Sequence, residues 1–166
     1  MTTFQIRSLQ NKNYKLWRRW AAHPEDEDCP WIPMTGRKQI LELAAARPVE
    51  LLLLTDSAPA REVSLVLKYA RKQVILPERL MEKIVPVESH QSMLAFFAKP
   101  GWEWNDMTPY LLVLDRIQDP GNLGTLLRSA AATGIFSVVT TPWTVSVYNS
   151  KALRASTGLL FSVPFL

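Results

Sequence analysis

The sequence contains a single cysteine, Cys29, among its 166 residues. One thiol excludes both an internal disulfide and a cysteine-based zinc site. Neither histidine stands at metal-ligand spacing from acidic residues, and no Ser-His-Asp or Cys-His set can be assembled, so we predict no bound metal. No apolar run approaches the ~20 residues that span a membrane. Residues 1–15 lack the apolar segment of a signal peptide, and we expect a cytoplasmic protein.

The composition is that of an ordinary globular protein, with 48% hydrophobic and 20% charged residues. The length suits one large domain or two small ones. The net charge of +4 is compatible with a nucleic-acid partner but does not require one.

The most informative stretch runs from Tyr110 to Gly134. Residues 110–114 are apolar, which predicts a strand buried on both faces. Residues 119–122, Asp-Pro-Gly-Asn, form a turn signal, and a helical pattern follows that Gly134 should end. At about 100° per residue, one arc of this helix is apolar. The opposite arc carries Asn122, Thr125, Arg128 and Ser129.

This strand–turn–helix unit has more than one interpretation. Gly121 and Gly124 permit close approach of a backbone or ligand, and the first helical turn should offer free N–H groups to an anion. Such units are commonly only packing, so the geometry alone supports packing and a functional site equally. One reading is an unrelated α/β enzyme that binds an anion at residues 122–124.

A second group of candidates lies near the start of the chain. Residues 12–22 form an amphipathic pattern whose polar stripe carries Lys12, Lys15, Arg18 and Arg19. These cations could hold an RNA backbone or could simply face solvent. The acidic run 25–28 argues against RNA contact in that loop.

Strand and helix patterns alternate along residues 31–98. Strands are expected at 31–35, 49–55, 73–76 and 93–98, and helices at 37–46, 62–71 and 78–84. This alternation predicts a mainly parallel sheet with helices on its faces. Residues 100–109 read as a linker. After Gly134 we expect a strand at 135–140, a helix at 151–156 and a further strand that begins at residue 161.

Three motifs together resemble a known family. Leu114-Asp115, Asp119-Pro120-Gly121-Asn122, Gly124, Arg128 and Ala130 are similar to motif 1 of the SpoU/TrmH RNA 2'-O-ribose methyltransferases. Ser8-Leu9-Gln10-Asn11 resembles the amino-terminal signature of the family's substrate-binding domain. Residues 151–158, Lys-Ala-Leu-Arg-Ala-Ser-Thr-Gly, continuing to Pro164, resemble a stretch of its ribosomal-RNA branch.

The resemblance implies an α/β fold with two parts. Residues 1–99 would form a small αβα domain that binds substrate RNA, residues 100–109 a linker, and residues 110–166 an incomplete SPOUT domain, a parallel-sheet fold of the trefoil-knot type. The implied activity is 2'-O-methylation of RNA ribose with S-adenosylmethionine, on ribosomal more than transfer RNA. Members of the family dimerise, so a homodimer is implied.

The resemblance also assigns residue roles. Arg128 would act on the 2'-hydroxyl, and Asn122 would brace the motif and the incoming nucleotide. A guanidinium has a pKa above about 12, and holding one neutral near pH 7 would cost about 7 kcal/mol. We therefore favour Arg128 as an electrostatic partner of the developing alkoxide. Lys151 and Arg154 share a helix face and could meet RNA or solvent with equal support.

Two family segments that hold the cofactor, Gly-x-Glu-x-x-Gly and Asn-Val-Ser, do not occur in the sequence. Only 57 residues follow Pro109, fewer than compact α/β domains usually need. We therefore expect the amino-terminal portion of a methyltransferase that alone does not bind S-adenosylmethionine appreciably. The alternative is a non-catalytic RNA-binding protein that retains the substrate domain.

Overall fold

The computed structural model describes residues 2–85, 92–156 and 158–166. Thr157, within the Lys-Ala-Leu-Arg-Ala-Ser-Thr-Gly motif, lies outside the described residues. The chain divides into two compact units, Met1–Lys99 and Pro100–Leu166. Residues 100–109, the predicted linker, fall within the second unit and include a short 3-10 turn at Trp104–Asp106.

The first unit alternates strands and helices. Its elements are β1 (Thr2–Gln5), α1 (Lys12–Ala22), β2 (Trp31–Met34), α2 (Arg37–Ala46), β3 (Leu51–Thr55), α3 (Ala60–Leu67), β4 (Lys72–Leu76), α4 (Glu78–Ile84) and β5 (Met93–Ala98). The predicted bounds of α1, α2, α4 and β5 are confirmed. Strand β1 was not predicted. Helix α3 ends before the predicted residue 71, because the backbone of Tyr69 and Arg71 bonds to Val49 instead.

The five strands form one sheet in the order β1-β4-β3-β5-β2. Strands β1, β4 and β3 run parallel, whereas β5 is antiparallel to both β3 and β2. The α/β class and the mainly parallel sheet are confirmed, since β1, β4, β3 and β2 all run in one direction and β5 runs against them. A helix between two strands does not by itself fix the direction in which the second strand enters the sheet.

The core of the first unit is built around β3. All five of its residues are buried, as expected for a central strand covered on both faces. Tyr14 and Trp17 of α1 pack against one face of the sheet. The Tyr14 hydroxyl donates to the carbonyl oxygen of Leu80 at 2.9 Å, which ties α1 to α4. The apolar stripe of α1 is therefore packing, and its cations face outward.

The second unit contains β6 (Tyr110–Leu114), α5 (Pro120–Thr133), β7 (Phe136–Thr140) and α6 (Ser150–Ser156). Strands β6 and β7 are parallel, with Leu114 opposite Thr140. Within the described ranges, no helix in either unit has the length and apolar character needed to cross a membrane.

Two predictions for this unit are wrong. Strand β6 is not buried on both faces, because Tyr110, Leu111 and Val113 are 62%, 43% and 58% exposed. Among the described residues β6 has a neighbouring strand only on the β7 side, so its other edge is uncovered. Residues 159–162 form a 3-10 turn rather than a strand, because Gly158 adopts a left-handed φ of 82°. Strand-like pairing with Val138 is confined to the last residues of the chain.

The buried position of α5 and the exposed position of β6 predict a large and a small effect of substitution within the same unit. Leu127 of α5 is fully buried, so Leu127→Ala should lower the free energy of unfolding by about 2–5 kcal/mol. Val113 is 58% exposed, so Val113→Thr should change it by less than about 0.5 kcal/mol. Urea denaturation of both variants measures the difference. Equal losses would contradict the uncovered position of β6.

Candidate functional site

Helix α5 begins and ends at residues suited to those positions. Asp119 is its N-cap, Pro120 follows at the first helical position, and Gly134 ends it with a left-handed φ of 66°. Proline fits there because that position needs no N–H donor. Gly134 donates its N–H to the carbonyl oxygens of Ala130 and Ala131. The prediction that Gly134 closes the helix is confirmed.

The first turn of α5 does not offer free N–H groups, contrary to the expectation from the sequence. The Asn122 N–H donates to Asp119 Oδ1 at 2.8 Å, and the Leu123 N–H donates to the Asp119 carbonyl at 3.1 Å. The Gly121 N–H also helps to lower the pKa of the Asp119 carboxyl. The protein thus supplies its own anion at this helix end, and this arrangement argues against the anion-binding interpretation of residues 122–124.

The second oxygen of the Asp119 carboxylate faces Lys151 of α6, with Nζ and Oδ2 3.3 Å apart. The Asn122 N–H first, and then Lys151, hold the pKa of Asp119 below its ordinary value of 3.8. A depressed folded-state pKa means that this stabilisation is present above the ordinary value and is lost as the pH falls through the lowered one. Lys151 thus connects α6 to the start of α5 through an exposed ion pair, which by itself adds little to stability.

The contact between α5 and α6 depends on the absence of a side chain at residue 124. A Cβ built on Gly124 would lie 2.5 Å from the Cβ of Ala155 and 2.6 Å from the carbonyl oxygen of Ala152. The two helices can approach this closely only with glycine at the crossing. This contact fixes α6, which carries Lys151 and Arg154, against α5, which carries Asn122 and Arg128.

The polar arc of α5 is exposed, as the helical wheel predicted. Its two hydroxyls bond within the helix, Thr125 to the Gly121 carbonyl at 2.9 Å and Ser129 to the Thr125 carbonyl at 3.0 Å. Among the described residues, none hydrogen-bonds or ion-pairs with the side chains of Asn122 or Arg128. These two side chains are the polar groups that this face presents to a ligand.

The candidate cations differ in how far the protein already uses them. Lys12, Lys15, Arg18 and Arg154 are exposed. Arg19 instead forms an ion pair with Asp28, and its Nε lies 3.7 Å from Asp26 Oδ2. The acidic loop that follows α1 thus neutralises one end of the basic stripe. The four α1 cations belong to the first unit, and Lys151 and Arg154 to the second.

Sequence reasoning singled out Asn122 and Arg128 but missed that Asp119 caps α5. Its expectation that a backbone or ligand approaches closely at Gly124 is confirmed by the backbone of α6, although it did not name that helix. The Asp-Pro pair before the helix was a readable capping signal. The contact of Gly124 with α6 was not readable, since it depends on tertiary packing. No group of three or more metal-ligating side chains occurs in the portion of the chain that the structure describes.

We expect Gly124→Ala to destabilise the second unit by about 1–3 kcal/mol, because the new methyl group would force the helices apart. Gly101→Ala is the matched control, since a Cβ there meets nothing within 4 Å. Thermal denaturation of the two variants provides the comparison. Equal midpoints would show that α5 and α6 do not meet at Gly124.

Comparison with known proteins gives a consistent picture. The sequence profile of the SpoU rRNA Methylase family matches residues 109–166. The 23S rRNA (guanosine(2553)-2'-O)-methyltransferase of Bacillus subtilis is 28% identical over 96% of this chain, which spans 63% of that protein. The human mitochondrial rRNA methyltransferase 3 is 38% identical over 46% of the chain, corresponding to 20% of its own length.

Solved structures share the fold. An AdoMet-bound rRNA methyltransferase from Sinorhizobium meliloti superposes with a TM-score of 0.81 at 21% identity, covering 98% of this chain and 64% of its own. The AviRb SpoU methyltransferase from Streptomyces viridochromogenes, in complex with AdoMet, gives 0.79 at 23% identity over 95% of this chain and 63% of its own. The chain therefore spans just under two thirds of these proteins, and its residues 109–166 are similar to the SpoU rRNA Methylase family.

Proposed function

We propose that this chain acts in the 2'-O-methylation of a ribose in RNA, with S-adenosylmethionine as the methyl donor and ribosomal RNA as the substrate. The name of the Bacillus subtilis relative, which aligns with nearly the whole chain, supports the reaction and the substrate. The AdoMet-bound solved structures support the donor. The proposal also includes a cytoplasmic location. It includes a homodimer as well, because the resemblance to the family implies one.

The observation that carries the proposal is the exposure of Arg128 on the polar arc of α5. In methyl transfer the ribose 2'-hydroxyl loses its proton, and negative charge develops on its oxygen. A guanidinium that stays charged can stabilise this oxygen and an adjacent phosphate through charge-assisted hydrogen bonds. Asn122, six residues before Arg128 on the same exposed arc, would hold the incoming nucleotide in register.

No residue of this chain is assigned to the cofactor. The start of α5, which would suit the carboxylate of S-adenosylmethionine, is closed by Asp119. The two segments that hold the cofactor in the family do not occur in the sequence. The methyl donor supplies an electrophilic methyl group when bound, whereas the residues present here position and stabilise the ribose.

Cations that form no ion pair within the protein should contribute more to RNA affinity than cations that do. If Lys12, Lys15, Arg18 and Arg154 each meet a phosphate, the logarithm of affinity should fall with the logarithm of salt concentration with a slope of about −3. Arg18→Ala should weaken binding and reduce this slope by about 0.7. Arg19→Ala should have less effect, because Asp26 and Asp28 already neutralise that side chain.

Fluorescence anisotropy with a labelled 23S rRNA fragment over a range of salt concentrations measures both variants. A larger loss for Arg19→Ala than for Arg18→Ala would contradict this ranking. Wild-type chain that shows no salt-dependent binding would refute an RNA substrate altogether.

Arg128→Lys separates charge from geometry. Lysine keeps the charge but loses the two-pronged guanidinium, so methyl transfer should fall about 10²–10³-fold, while RNA affinity changes little. The assay mixes this chain, labelled S-adenosylmethionine and rRNA with a polypeptide that carries the remaining third of the Bacillus subtilis relative. An unchanged rate for Arg128→Lys would exclude the proposed role of the guanidinium. RNA binding with no transfer in the wild-type mixture would favour a non-catalytic RNA-binding protein.

A further inference from the structure

The segment that follows β7 forms a tight turn with an unusual residue in it. Residues 141–144, Thr-Pro-Trp-Thr, are closed by the Thr144 N–H, which donates to the Thr141 carbonyl at 3.1 Å. Trp143, the third residue of the turn, has a φ of 75°. A turn with proline second and a positive φ third normally places glycine or asparagine at that third position. Trp143 therefore stands where a bulky side chain is rarely found.

The turn is held firmly despite this backbone conformation. The Thr141 N–H and the Thr144 hydroxyl both donate to the Leu114 carbonyl, each at 3.1 Å. The Thr141 hydroxyl donates to Asp115 Oδ1 at 2.6 Å and accepts the Arg116 N–H at 3.2 Å. These bonds fix the turn to the carboxyl end of β6.

The indole itself is left outside this network. Trp143 is 80% exposed, the highest value among the large apolar side chains of the described residues. Burial therefore gives no account of a tryptophan at this position. An outlier held rigidly by its surroundings, with its side chain in solvent, points to a role for the side chain.

The location of the turn indicates what the indole would meet. Strands β6 and β7 are parallel, so Asp115 and Thr141 follow them at the same edge of the sheet. Ligands of open α/β sheets bind beyond this carboxyl edge, and α5 starts there too. Arg116, exposed and with a φ of 53°, adds a guanidinium beside the turn, 3.9 Å from Asp115 Oδ1.

We propose that Trp143 is a stacking platform for an unpaired RNA base next to the ribose that α5 addresses. This inference rests on the proposed function, since it names a contact of that same RNA site. Single-stranded RNA is bound by stacking of splayed bases on exposed aromatic rings. The indole supplies the stacking surface, and Arg116, partly neutralised by Asp115, contributes less through charge.

Because stacking involves no phosphate contact, removing the indole should lower RNA affinity without changing how that affinity depends on salt concentration. Trp143→Ala should weaken binding to a labelled rRNA hairpin with an unpaired loop by about 5- to 150-fold, without changing the salt slope. Trp143→Phe should retain part of the affinity. Binding to a fully paired duplex of matching length should not change, because its bases are not available for stacking.

Trp143→Gly distinguishes a binding role from a structural one. Glycine accepts the left-handed backbone, so this variant should melt at a higher temperature than the wild type while losing RNA affinity as Trp143→Ala does. Trp104→Ala is the control, since Trp104 is also well exposed, at 66%, but lies in a different turn. It should leave RNA affinity unchanged.

Unchanged hairpin affinity in Trp143→Ala and Trp143→Gly, with wild-type chain that binds the hairpin, would overturn this inference and leave the proposed function standing. A change in sedimentation behaviour on Trp143→Gly with no change in RNA affinity would identify a protein contact instead and also overturn it. Wild-type chain that fails to bind the hairpin at any salt concentration would remove both proposals.

Discussion

The arrangement of the second unit depends on the contact between α5 and α6 at Gly124. Since the Cβ of Ala155 and the carbonyl of Ala152 occupy the place of a side chain, the helices meet backbone to backbone. The ion pair between Asp119 and Lys151 closes the same pair of helices at the start of α5. A contact made of backbone and methyl groups leaves little freedom for sliding, so it keeps the polar arc of α5 in a fixed orientation.

Some of the basic side chains form ion pairs within the protein itself. Lys151 is held by the carboxylate that caps α5, and Arg19 is held by the acidic loop after α1. Exposed ion pairs of this kind add little to stability. The paired carboxylates nevertheless reduce the local positive charge that a polyanion would meet at these two cations. Counting basic residues in the sequence therefore overstates the electrostatic surface, and the unpaired cations are the better guide to an RNA contact.

How far the sequence predicted the structure depends on whether each feature is local. The bounds of α1 and α2, the end of α5 at Gly134 and the division between its polar and apolar arcs follow from periodicity and capping chemistry. The antiparallel direction of β5, the exposure of β6 and the helix crossing at Gly124 depend on residues distant in the chain. In the candidate site, Asn122 and Arg128 were predicted from the motif, whereas the positive φ at Trp143 has no signal in composition or spacing.

Two departures from ordinary protein structure occur in the second unit, and they differ physically. Strand β6 has a normal backbone and an abnormal environment, since an apolar strand of a parallel sheet is usually covered on both faces. Any apolar cover would resolve that exposure. Trp143 has an abnormal backbone, and covering its ring would leave its φ of 75° unchanged. We infer that a contact of the indole offsets the free energy that glycine would save at this position, and a stacked base at the carboxyl edge of the sheet provides such a contact.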